Sequence, residues 1–233
     1  METYLKENKK YWQRGYMAPN VDHNVFRFYG RILRPQFGLT GENCETLLDF
    51  GCGQGAAVDY FNRQGFQSFG VDISTTDLNV ARARYPEIQS RFAEVDPQPD
   101  TNDEFFDMNY DVIIAVQSLY YYSDEDFNTR MESIYKMLKP NGIFYATMMG
   151  TECEQYYQNS EPYQDGLRKI NFDTNRDLKV RDYYVNFTNS EDELVRKFDM
   201  FEPVHIGFYS AKFRSDEPKS HHFIFVGTKS KVD

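Results

Sequence analysis

Residues 46–72 read TLLDFGCGQGAAVDYFNRQGFQSFGVD, and the order of residue types along this stretch sets the fold. TLLDFG (46–51) is a short apolar run closed by glycine. From about Gly55 to Gln64 the spacing is helical and stops at Gly65, and FQSFGVD (66–72) is a second short run. Strand, helix and strand in this order make a β-α-β unit, which brings the two strands parallel. The pattern continues outward. Ser74 with Asp77 three residues on, followed by Leu78, Ala81 and Tyr85 with Pro86 as a stop, marks a second helix. Ser90 to Val95 reads as a weaker strand, and YDVIIAV (110–116) as a strand buried on both faces. Ser123 then caps a helix with Asp124, Glu125 and Asp126 in its first turn and Lys136 and Lys139 near its end, the charge order that suits the helix dipole. Pro140-Asn141-Gly142 turns the chain into GIFYATMM (142–149).

Ser190 and Glu193 form a capping-box pattern for a helix to about Met200, and VHIGFYS (204–210) and FIFVGTK (223–229) suit an antiparallel hairpin. The whole predicts an α/β chain: a doubly wound, Rossmann-like, seven-stranded, mostly parallel sheet with a C-terminal antiparallel hairpin. One domain is expected, with an N-terminal helical lid over 1–45, a cofactor-binding core over 46–150, an acceptor-covering insertion over 151–189, and the last helix and hairpin over 190–233.

Composition narrows the function. The 233 residues carry 26 Lys+Arg against 36 Asp+Glu, a formal charge of −10, which disfavours a nucleic-acid partner because such binding neutralises many phosphates with clustered bases. No apolar run is long enough to span a membrane, and METYLKENKK has no apolar signal core, so a cytoplasmic location with no membrane partner is expected. The three cysteines, Cys44, Cys52 and Cys153, form no CxxC pair and have no histidine at ligand spacing; a reduced compartment and no metal follow. The 18 Tyr and 20 Phe are the compositional oddity, fitting either a core or a pocket for a flat ligand.

Asp49-Phe50-Gly51-Cys52-Gly53-Gln54-Gly55 lies where the first strand turns into the first helix, and Asp72 closes the second strand. Glycines there let a ligand approach the main chain, and a carboxylate at Asp72 can accept both hydroxyl protons of a ribose diol, so the turn reads as a nucleoside site. Gly51-x-Gly53-x-x-Ala56 also satisfies the dinucleotide fingerprint, which keeps a nicotinamide-dependent oxidoreductase or epimerase as an alternative. Asp49 weighs against it: beside a pyrophosphate, at roughly 7 Å and an effective dielectric of 20, each like-charge pair costs about 2 kcal/mol. Such an enzyme would also normally carry Tyr-x-x-x-Lys, and the only such spacing here is Tyr135 with Lys139, at the end of a helix.

LLDFGCGQGAAV resembles the first motif of the class I S-adenosylmethionine-dependent methyltransferases. VDIS (71–74), RFAEVD (91–96), YDVIIAVQSLYY and MLKPNGIF match their later segments in order. The resemblance covers about 46–150 well and the final hairpin loosely. It implies S-adenosylmethionine as cofactor and S-adenosylhomocysteine as product. Residue by residue it implies main-chain contact to the methionine part from Gly51 and Gly53, a ribose bond from Asp72, an adenine contact from Ile73, the adenine amino group at Asp96 with Glu94 as rival, and Gln117 beside the methionine amino group and sulfonium. Asp49 faces the cationic cofactor, and Asp111 is structural.

For the methyl acceptor the sequence offers three places. Gln117-Ser118-Leu119-Tyr120-Tyr121-Tyr122 leaves the fourth strand where the methyl should sit, without the Asn-Pro-Pro-Tyr of amino-methylating relatives. Tyr120 is a catalytic candidate and Tyr121 an acceptor-binding one. NVDHNVFRFYGRIL reads as an amphipathic helix with Val25, Phe28, Tyr29 and Ile32 on one face and Arg27, Arg31 and Arg34 on the other. As a lid it would supply His23 as base and Arg27 or Arg31 for an anionic acceptor, with Tyr11, Trp12 and Tyr16 closing over the cofactor. The stretch 150–189, with Tyr156, Tyr157, Tyr163, Phe172, Tyr183, Tyr184 and Phe187, has no clear period. His205, His221 and His222 fall on the last strands and are expected to be away from the site. The expected function is methyl transfer to a small molecule, at oxygen, with sugar, nucleotide-linked or phosphate-bearing acceptors in view; protein or RNA methylation is the remaining alternative.

Overall fold

The computed structural model describes residues 2–15, 20–171 and 183–230. Helix α1 (Thr3–Trp12) is followed by α2 (His23–Phe28), a π turn (Tyr29–Leu33) and α3 (Arg34–Phe37); then come β1 (Thr46–Phe50), α4 (Ala56–Arg63), β2 (Gln67–Asp72), α5 (Thr75–Arg84), β3 (Phe92–Glu94) and β4 (Tyr110–Ala115). The chain continues through α6 (Asp124–Met137), β5 (Leu138–Met149), α7 (Glu154–Gln158), β6 (Ser160–Pro162), β7 (Leu167–Ile170), β8 (Tyr183–Asn186), α8 (Glu191–Lys197), β9 (Glu202–Ala211) and β10 (Ser220–Thr228). The main sheet has seven strands in the order β3-β2-β1-β4-β5-β10-β9, parallel from β3 to β5 and antiparallel at β10 and β9, as the sequence predicts. The order reverses direction between β1 and β4, so the carboxyl edge opens a crevice there.

Strand alternation sorts the apolar residues into two layers. Leu48, Phe50, Ile113, Ala115, Phe144, Ala146 and Phe225 pack with Phe127, Met131 and Ile134 of α6 and Leu194 of α8. Their neighbours Leu47, Val112, Ile114, Ile143, Tyr145 and Val226 pack on the other face with Phe61 of α4 and with Val25, Phe28, Tyr29 and Leu33. The caps read from sequence are made: Ser74, Ser123 and Ser190 each accept an amide three residues on, from Asp77, Asp126 and Glu193. Asn141, at φ 61, lets the Pro-Asn-Gly turn pass as an irregularity within β5.

One expectation changes. The helical segment from His23 is a layer of the core and not a lid, because its apolar face is claimed by the sheet. Its π turn, with one more residue per turn than an α-helix, brings Leu33 to a fully buried position and leaves Ile32 half-buried. Within the expected insertion, the described residues 151–171 and 183–189 form α7 and a small antiparallel sheet β6-β7-β8. Its edge meets α1: Asn8 accepts the Tyr184 amide through Oδ1 at 2.8 Å and donates through Nδ2 to the carbonyls of Tyr184 (3.2 Å) and Tyr121 (3.0 Å). Tyr4 is bonded to the Asp126 carboxylate and accepts the Ser123 amide at 3.1 Å. Helix α1 is therefore pinned across the carboxyl edge of the sheet, and no described helix is long and apolar enough to cross a membrane.

Candidate functional site

A cleft of about 1400 Å³ lies at that edge, floored by the β1–α4 turn, roofed by α1 and walled by the exit of β4 and the hairpin β9-β10. The floor is built by close approach. Gly51 has φ +84, and a Cβ there would stand 2.4 Å from Cβ of Ser118, which donates through Oγ to the Phe50 carbonyl at 2.7 Å. Gly53, at φ +51, would meet nothing within 4 Å, so its main chain is bare. Its amide donates to Oδ2 of Asp72 at 2.8 Å, and the Ser74 amide donates to Oδ1 at 2.8 Å. The Asp72 carboxylate thus keeps at least one acceptor position beyond the amides of Gly53, Ser74 and Ile73. Burial pushes the Asp72 carboxyl up to about 6, against the pull of the Ser74 and Gly53 amides.

Asp49 is 4% exposed, and among the described residues no group donates a hydrogen bond to its carboxylate. Burial first, and the charge of Asp72 second, push it up to about 8. Buried Asp49 and half-buried Asp72, neighbouring carboxyls that pair with no cation among the described residues, make a floor that favours a positively charged ligand over an anionic one.

The roof is aromatic. Tyr11 stacks on Tyr183 with centroids 4.1 Å apart, and Trp12 meets Tyr121 edge-on at 5.1 Å. Ser74 Oγ donates to the Trp12 carbonyl at 3.0 Å, and Gln13 Nε2 donates to the Ile73 carbonyl at 3.2 Å, tying α1 to the end of β2. At the far wall Gln117 has φ +55; its amide donates to Oγ1 of Thr147 at 2.8 Å and its Nε2 to the Tyr209 hydroxyl at 2.9 Å. Tyr120, 1% exposed, lies 4.6 Å from Tyr121, whose phenol is raised well above its ordinary value by burial and then by Tyr120.

Of the residues singled out by sequence, Trp12, Asp49, Gly51, Gly53, Asp72, Ile73, Gln117, Tyr120 and Tyr121 line this one cleft. Asp96 and Glu94 do not. Asp96 is exposed and turns back to accept the Gln98 amide at 2.9 Å, Glu94 pairs with Lys9 at 2.8 Å, and Val95 and Pro97 supply the wall between them. His23, Arg27 and Arg31 are exposed and outside the cleft, for the reason that moved their helix: its buried side faces the sheet. Asp22 and Val25, at the start of that helix, reach the cleft instead, and its arginines are Arg14 and Arg214. Tyr16 and Phe172 fall outside the described residues.

Tyr156 and Tyr183, from the stretch expected to cover the acceptor, also line the cleft, whereas sequence reasoning missed Asn8, Tyr209 and His222 on its wall. His222 was assigned away from the site, yet β10 runs antiparallel to β5, so the beginning of β10 meets the end of β5, with His222 opposite Met149. The signal available was the hairpin itself, whose first-strand end and second-strand start must share an edge. Among the described residues no group of His, Cys, Asp and Glu stands together as a metal site.

Comparison with known proteins gives a consistent picture. Residues 21–212 match a family model described as a methyltransferase domain. The ubiquinone biosynthesis O-methyltransferase of Pasteurella multocida (strain Pm70) is 29% identical over 165 residues, 65% of this chain and 64% of that one, so the match spans a little under two thirds of that relative. Among solved structures, a SAM-dependent methyltransferase from Methanosarcina mazei superposes with a TM-score of 0.64 at 18% identity, covering 84% of this chain and 97% of that one. The 1,6-didemethyltoxoflavin-N1-methyltransferase of Burkholderia thailandensis, with bound S-adenosylhomocysteine, superposes at 0.57 with 19% identity over 90% and 80% of the two chains.

Proposed function

The chain belongs to the class I S-adenosylmethionine-dependent methyltransferases, and we propose that it methylates an oxygen of a small molecule. The observation that carries the reading is the floor of the cleft: the neighbouring carboxyls of buried Asp49 and half-buried Asp72 around a bare glycine turn. The residues fit the cofactor. Gly51 and Gly53 offer main chain to the methionine part, Asp72 has an acceptor position free for a ribose diol, Ile73 flanks the base, Gln117 faces the amino group, and Asp49 complements the ammonium and sulfonium. Trp12 closes the roof over it.

When bound, S-adenosylmethionine supplies a methyl carbon already activated by its sulfonium. The protein's task is then to exclude water and to hold the acceptor oxygen in line. Tyr120 and Tyr121 supply ring faces at the exit of β4, where a cation is favoured by the ring quadrupole. The similarity to an O-methyltransferase supports oxygen as the acceptor atom. The free thiols Cys44, Cys52 and Cys153 support a cytoplasmic setting.

The oxidoreductase reading loses its remaining support. Lys139, of the Tyr135/Lys139 pair, bonds to Asp111 at 2.8 Å at the start of β5, the end of the sheet opposite the cleft. Parallel calorimetric titration with S-adenosylmethionine, S-adenosylhomocysteine, NAD and NADP tests the reading. Micromolar binding of the two sulfur nucleosides alone is expected; binding of NAD or NADP in their place would overturn it.

A further inference from the structure

We propose that His222 is the base that accepts the proton of the methyl acceptor, and that the acceptor is a hydroxyl on a flat ring. This rests on the methyltransferase reading above and adds the proton path and the substrate class.

His222 is 6% exposed and lines the cleft, and neither ring nitrogen has a hydrogen-bond partner among the described residues. One nitrogen of a neutral imidazole is a donor and the other an acceptor, so an unmet pair in a buried wall is unfavourable unless a ligand supplies the partner. The ring stacks on Tyr209, centroids 5.1 Å apart and planes 7° off parallel, and lies 5.9 Å from Tyr120. Tyr209 is itself fixed by Gln117, the residue at the exit of β4. The imidazole therefore sits one side chain, Tyr209, from Gln117 and lies in the cleft wall, whereas His23, which meets the same Tyr209 edge-on at 5.8 Å, is exposed and outside the cleft.

The groups acting on it are Asp22, at the cap of α2, and His221, its neighbour on β10, with the phenols of Tyr209 and Tyr120 packed against it. Burial outweighs Asp22 and lowers the ring to about 4, so the imidazole stays neutral and keeps a lone pair. A base of that strength suffices, since a hydroxyl becomes strongly acidic as its oxygen gains a methyl group. In the step the acceptor O–C bond forms, the S–C bond breaks with its electron pair going to sulfur, and the hydroxyl proton passes to His222. Asp22 then faces the imidazolium until the proton leaves with the opening of the cleft. The rings of Tyr209 and Tyr120 against the base, with Tyr121 next to Tyr120 on the same cleft wall, favour a planar hydroxylated ring over an aliphatic alcohol.

The chain has four histidines, so ring-nitrogen-labelled protein gives few signals, and the spectrum of His222→Gln assigns the one in question. The probes are 4-nitrocatechol, 4-nitrophenol and 3,4-dihydroxybenzoate, added to the complex with S-adenosylhomocysteine at millimolar concentration. The His222 ring signals are expected to shift on probe binding while those of His23 and His205 stay in place. His222→Gln should bind S-adenosylhomocysteine within about twofold of wild type but bind the probe about tenfold more weakly, one lost hydrogen bond. Its methylation of that probe with S-adenosylmethionine should fall by about 100-fold or more. Unmoved His222 signals at probe saturation, or unchanged turnover in His222→Gln, overturn the base. Failure of all three phenols to bind a complex that does hold S-adenosylhomocysteine overturns the substrate class. Failure of S-adenosylhomocysteine itself to bind wild type removes the underlying cofactor reading instead. If His222→Gln does not fold, the spectra of His23→Gln, His205→Gln and His221→Gln assign the other three histidines, and the remaining wild-type signals decide.

Discussion

Replacing Asp49 by Asn should make the free protein more stable and its cofactor complex weaker. The carboxyl is 4% exposed, receives no hydrogen bond from the described residues and faces Asp72, so it ionises near 8 in place of the ordinary 3.8. Between those values the folded protein holds a proton that the unfolded chain releases, and stability must fall as pH rises through this window. Each pH unit above 3.8 costs about 1.4 kcal/mol until the folded group ionises, which amounts to as much as about 4 kcal/mol at pH 7 and about 6 above pH 8. Asn keeps the shape and has no charge to bury. Urea unfolding of both proteins from pH 4 to 9 reads the effect. The two should agree near pH 4, diverge in favour of Asp49→Asn through neutrality and run parallel again above pH 8. A cationic ligand offsets the cost only in wild type, so S-adenosylmethionine should raise the wild-type midpoint more than that of the variant. Curves that stay parallel across the whole range would refute the buried-carboxyl argument.

Asp72→Ala removes a charged acceptor from the ribose position and two amide bonds at Gly53 and Ser74; S-adenosylmethionine affinity should drop by roughly 1.5 to 3 kcal/mol, measured by calorimetry. Gly51→Ala places a methyl 2.4 Å from Ser118 at a backbone angle of φ +84, and a stability loss of about 1–3 kcal/mol with loss of cofactor binding is expected; wild-type denaturation and binding would show that the turn can relax. Asn8→Ala unpins α1 from Tyr184 and Tyr121, so hydrogen exchange of the first helix should accelerate and S-adenosylhomocysteine should dissociate faster, with unfolding of the core shifted by only about 1–2 kcal/mol; unchanged exchange in α1 would mean that the roof is held by other contacts.

What the chain alone determined is what depends on neighbours in sequence. Strand alternation at Leu47-Leu48 and Val112-Ile113-Ile114-Ala115, the caps at Ser74, Ser123 and Ser190, and the turn from Asp49 to Gly55 each follow from local sterics and hydrogen bonding. They yielded the sheet, its direction and the cofactor floor. Tertiary structure decided what several equally good local patterns leave open. The amphipathic segment from His23 had an apolar face that either a lid or a core layer would satisfy, and the buried sheet took it. Helix α1 became the roof because Asn8 pairs with a strand 176 residues away, a contact with no local signature. Asp96 turned to its own loop amide, since an acid two residues before an exposed amide satisfies itself locally. His222 entered the cleft only because antiparallel pairing puts the start of β10 beside the end of β5. A register between distant strands is fixed by packing the whole sheet, and so Tyr209 and His222 were cleft residues that the linear sequence could not locate.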